Sequence, residues 1–99
     1  MEKKIYVVVT DWQGYDDGAV EICHKAFTNK EDAIKQVKDI VEEDIRNNVR
    51  HKQYLDEISK GKGEWCYEND LDNGFYSLFE EGWYSDWHFV VWVEELEVA

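Results

Sequence analysis

The sequence predicts an α+β fold in the order β-β-α-β-β-β, a mostly antiparallel sheet with one long or broken helix packed on one face. Three observations carry this. Five stretches have strand length and are rich in β-branched and aromatic residues. One stretch, between the second and third of these, repeats its apolar residues at three- and four-residue spacing. Clusters of Asp, Asn and Gly punctuate the strands. Ninety-nine residues make one domain, residues 1–99, with no room for a second core of ordinary size.

The first strand is the run Lys-Ile-Tyr-Val-Val-Val-Thr at residues 4–10, apolar on both alternation sets and so expected at the centre of the sheet. Residues 11–18 supply hairpin chemistry, and residues 19–27 then alternate Val20, Ile22, His24 and Ala26 against Glu21, Cys23 and Lys25, a strand with one wet face. Thr28-Asn29-Lys30-Glu31 fits a capping box with Thr28 as the cap, which starts a helix at about Asn29. Ala33, Ile34, Val37, Ile40, Val41 and Ile45 form its buried stripe. The pattern continues weakly through Val49, Leu55 and Ile58. An unbroken helix to Ser59 would run about 45 Å against about 23 Å for a seven-residue strand. It therefore either breaks near Asn47-Asn48 or projects beyond the sheet, and Gly61 and Gly63 end it. Residues 64–71 alternate again, Asp72-Asn73-Gly74 turns the chain into a strand at residues 75–79, and Glu80-Glu81-Gly82 turns it once more. The last strand, from Trp87 to Val93, is apolar on both sets.

Charge is distributed unevenly. The chain carries 23 Asp+Glu against 11 Lys+Arg, a formal charge of −12. All 11 cations fall in residues 1–62, whereas residues 63–99 hold 10 carboxylates and no Lys or Arg. On the strand beginning at Glu64, the carboxylates Glu64, Glu68, Asp70 and Asp72 are expected on one face, with neighbours two apart spaced by about 6.6 Å. Glu80, Glu81 and Asp86 extend the acidic region. Such a surface suits a protein partner with a basic groove, where charge steers encounter; the plainer reading is an acidic surface that serves solubility. Ten of the 15 aromatic residues also lie in residues 63–99. Trp65, Trp83 and Tyr84 are the expected contact anchors. Because one helix covers one face of a sheet, Tyr6, Val8, Val90 and Trp92 are expected on an apolar face that either meets a partner or a second copy or is covered by long loops or the second helical half. Carboxylates beside the aromatics disfavour direct nucleic-acid binding. Arg46, Arg50, His51, Lys52, Lys60 and Lys62 give the molecule a positive end.

No catalytic centre, cofactor or metal site is expected. His88, two residues after Asp86, reads as a hydrogen-bonded core histidine rather than a base. Cys23 and Cys66 have no C-x-x-C or cysteine/histidine spacing and read as free, half-buried thiols. In Asp70-Leu71-Asp72-Asn73-Gly74 the glycine falls one ligand position early for a calcium loop. No phosphate-loop, dinucleotide or zincin motif is present. No apolar run approaches a membrane span, and the N-terminal apolar run is too short for a signal peptide, which points to the cytoplasm.

In size, acidity and layout, and through Glu64, Glu68, Asp70, Asp72, Glu80, Glu81 and Asp86, the chain resembles the small acidic inhibitor proteins of bacteriophages and mobile elements, anti-CRISPR proteins among them. That resemblance implies a non-enzymatic protein that occupies the nucleic-acid groove of a bacterial nuclease or glycosylase. The alternative is a homodimeric scaffold that uses its aromatic sheet face.

Overall fold

The computed structural model describes residues 3–13, 20–80 and 87–98. Strands β1 (Lys3–Gln13) and β2 (Val20–Phe27) are followed by helices α1 (Lys30–Asn47) and α2 (Val49–Ser59), then by β3 (Trp65–Asp70), β4 (Phe75–Glu80) and β5 (His88–Val98). The five strands form one sheet in the order β2-β1-β5-β4-β3. Every pairing is antiparallel. The two strands that read as apolar on both faces, β1 and β5, pair with each other inside the sheet.

The chain leaves the sheet at one edge, β2, and re-enters at the other, β3. Crossing four inter-strand gaps takes about 19 Å, which a helical connection of this length spans easily. Both helices therefore lie on the same side of the sheet. Ala33, Val37 and Val41, four residues apart on α1, are buried against Val8, Tyr76, Leu78, Phe89 and Val91. α2 adds Tyr54, whose ring lies 4.5 Å from that of Trp65 and 4.9 Å from that of Trp87.

The helix breaks at Asn48, the first of the two outcomes the length comparison allows. Asn48 adopts an extended backbone (φ −109°, ψ 106°), its N–H bonds to the Asp44 carbonyl of α1, and its side chain caps α2. The Asn48 Oδ1 accepts from the Arg50 N–H at 3.1 Å. One residue thus closes one helix and opens the next. The N-terminal cap of α1 is Asn29 rather than Thr28: its Oδ1 accepts from the Glu31 N–H at 2.8 Å. Asparagine is at least as good a cap as threonine, and it wins the position. α2 ends in a Schellman motif, in which the Gly61 N–H bonds the Ile58 carbonyl at 3.1 Å and the Lys62 N–H bonds the Glu57 carbonyl at 2.9 Å.

β1 and β2 pair with an irregularity. Val7 opposes Ala26 while Val9 opposes Cys23, so β2 carries one extra residue between them. Among the described residues, no helix is long and apolar enough to cross a membrane.

Candidate functional site

Side chains alternate across a strand, so the pairing register sorts each residue onto the helix-covered face or the open one. On the open face, Val7, Val9 and Asp11 of β1 stand beside Val90, Trp92 and Glu94 of β5. Ser77 and Phe79 of β4 come next, followed by Cys66 and Glu68 of β3. Val9, Ser77 and His88 are buried there; Phe75, Phe79, Val90 and Trp92 are half-buried. Around this apolar centre stand Glu68, Asp70, Glu94 and Asp11. The described side chains of β1, β3, β4 and β5 place no lysine or arginine on this face.

Several carboxylates are held in place. The Asp70 oxygens accept from the Asn73 Nδ2 at 2.9 and 3.1 Å. Glu94 accepts from the Trp92 indole Nε1 at 3.1 Å, which fixes a large aromatic ring beside a negative charge. Asp11 accepts from His88 Nε2 at 2.8 Å. His88 is thus a hydrogen-bonded, buried histidine, and its described carboxylate partner is Asp11; Asp86 lies outside the described residues.

The expected acidic row is shorter than the sequence implies. Glu64 is exposed but precedes β3, and only Glu68 and Asp70 remain on the strand's open face. Asp72 sits in the 3-10 turn Leu71–Asn73 and pairs with Lys38 of α1 at 3.3 Å, so it turns towards the helices. Glu80 opposes Trp65 at the end of β4 and has helix-side parity. Trp65 is no free anchor, because it is half-buried against Tyr54. Glu81, Trp83, Tyr84 and Asp86 lie outside the described residues. The expected apolar face is also divided: Val8 is fully buried beneath α1 with Tyr6 packed on the same core, whereas Val90 and Trp92 stand on the open side. The first pair is covered by α1 and the second pair stands on the opposite face.

On the helix side the structure assembles a polar chain that sequence reading missed. His51 is fully buried; its Nδ1–H donates to Asp44 Oδ2 at 2.5 Å, and its Nε2 accepts from the Tyr76 hydroxyl at 2.6 Å. Tyr76 in turn shares a hydrogen bond with Tyr67, whose hydroxyl accepts from Asn69 Nδ2 at 3.1 Å. Burial above all, then the neighbouring Tyr67, holds the Tyr76 hydroxyl well above the usual tyrosine pKa. The order carboxylate, imidazole, hydroxyl is that of a nucleophile triad, but this hydroxyl is kept neutral and fully buried. It ties the helix elbow to β4. His51 therefore belongs to the core and not to the positive end of the molecule.

Among the described residues no group of three or more His, Cys, Asp and Glu is placed to hold a metal ion. Cys66 is a half-buried free thiol. No family model, no curated protein and no solved structure matches the chain.

Proposed function

We propose that this chain is a non-enzymatic protein-binding module that sets its open sheet face into a basic groove of a partner protein, a groove of the kind that holds nucleic acid in a bacterial nuclease or related enzyme. One observation carries the reading: Phe75, Phe79, Val90 and Trp92 form an apolar centre bordered by Glu68, Asp70 and Glu94, with no cation anywhere in residues 63–99. Charge at the border steers encounter and excludes partners of like sign, while the aromatic centre supplies the desolvated contact that holds the complex. The same composition weighs against the homodimeric alternative, because two copies meeting through this face would bring their carboxylates together.

The test is capture from bacterial lysate on the immobilised protein at low salt, followed by elution with duplex DNA or with salt. The reading expects a nucleic-acid enzyme that DNA displaces and that a Glu68→Lys/Asp70→Lys column fails to retain. Recovery of the bait alone, or equal retention by the variant, would overturn it.

A further inference from the structure

The side of the sheet away from the acidic face holds a cleft of about 370 Å³ between the last turns of α1 and the β1–β2 hairpin. Trp12, Ile40 and Phe89 give it an apolar wall; Glu43, Asp44 and His24 are its ionisable groups. Its size is within the range of about 300–1,000 Å³ usual for small-molecule sites.

Two features of this cleft agree on what it would hold. First, its wall is apolar and aromatic, with Trp12 and Phe89 in the lining. Second, both Glu43 and Asp44 line the cleft and no lysine or arginine does. Asp44 uses Oδ2 for His51, and its side chain remains 24% exposed. Asn47 and Asn48 of the lining stand where α1 ends and α2 begins, so the negative end of one helix and the positive end of the other offset each other there. Arg46, in the same turn, is exposed and is not part of the lining. His24 is engaged with Thr10 Oγ1 at 2.7 Å.

We propose that this cleft binds a small organic cation: a primary amine on an apolar, preferably aromatic body. The ammonium lies against Asp44 and Glu43, and the body packs on Phe89, Ile40 and the Trp12 ring. This site is independent of the acidic face, which lies on the opposite side of the sheet.

The test uses 2-(4-hydroxyphenyl)ethylamine as probe and follows the five tryptophan indole N–H resonances of the isotope-labelled protein, with Trp12→Phe assigning the relevant signal. The proposal expects a saturable shift of the Trp12 signal at micromolar to low millimolar probe. It also expects at least tenfold weaker binding of 4-hydroxyphenylacetate, which reverses the charge on the same body. Glu43→Gln, a change at an exposed position, weakens the amine about tenfold and leaves the thermal transition in place. Absence of a saturable shift, or equal binding of the carboxylate probe, would overturn the proposal. Asp44→Asn is the less direct variant, because Asp44 also supports His51.

Discussion

At the scale of single residues, the buried chain from Asp44 through His51 to Tyr76 decides whether the helix elbow stays on the sheet. Along a straight helix, residues seven apart are separated by about 10.5 Å, too far for a carboxylate to reach an imidazole closely. Only the break at Asn48 brings Asp44 and His51 within 2.5 Å. Tyr76→Phe would leave the His51 Nε2 buried without its donor and is expected to cost about 1–3 kcal/mol in denaturant unfolding. The same hydroxyl gives a pH signature. Its pKa is raised in the folded protein, so the stabilisation is complete below the ordinary tyrosine pKa and is lost as pH climbs above about 10. Unfolding free energy should fall there by up to about 1.4 kcal/mol per pH unit from this group, a slope that Tyr76→Phe lacks; equal alkaline slopes in the two proteins would contradict the assignment. None of this was legible in the sequence, where His51 stands among Arg50 and Lys52 and looks like one more surface cation. Its burial depends on a change of helix phase that side-chain periodicity cannot show.

At the scale of elements, the strands and the helical connection were legible because each carries its own period, and the Asn-Asn interruption marked the break. What failed was the placing of Asp72 on the strand face. The turn expected at Asp72-Asn73-Gly74 is present but begins one residue earlier, so Asp72 falls within the 3-10 turn Leu71–Asn73, closed by Gly74 in the left-handed region (φ 77°). A Cβ at Gly74 would lie 2.9 Å from Val93 Cγ2 and 3.1 Å from Ile34 Cγ1. Gly74→Ala is therefore expected to destabilise by about 2–4 kcal/mol, from backbone strain and crowding together, as read by thermal or chemical unfolding. Asn48→Ala should cost about 1 kcal/mol by removing the α2 cap, and Asn48→Asp should recover most of it. A shift of the α1 cap by one residue, from Thr28 to Asn29, lies within what capping signals resolve when two good cap residues are adjacent.

At the scale of the whole molecule, the charge asymmetry was plain in one dimension, but its distribution over two faces was not. Asp72 and Glu80 leave the open face, whereas Glu94 and Asp11 join it through strand pairing that no local pattern reveals. Trp92, held by Glu94, stands on the open face, whereas Trp65 packs on Tyr54. Trp92→Ala is expected to weaken the partner complex about a hundredfold or more while the chain stays folded, as circular dichroism and calorimetric titration would show. The most direct test of the acidic-face account is the association rate with the captured partner, measured at low and high ionic strength for the unaltered chain, for Glu68→Lys/Asp70→Lys, and for Glu42→Lys/Glu43→Lys on exposed positions of α1. The account predicts a steep fall in rate with salt and a much larger loss from the β3 reversal than from the helical one. Equal losses from the two reversals, or a rate indifferent to salt, would contradict it.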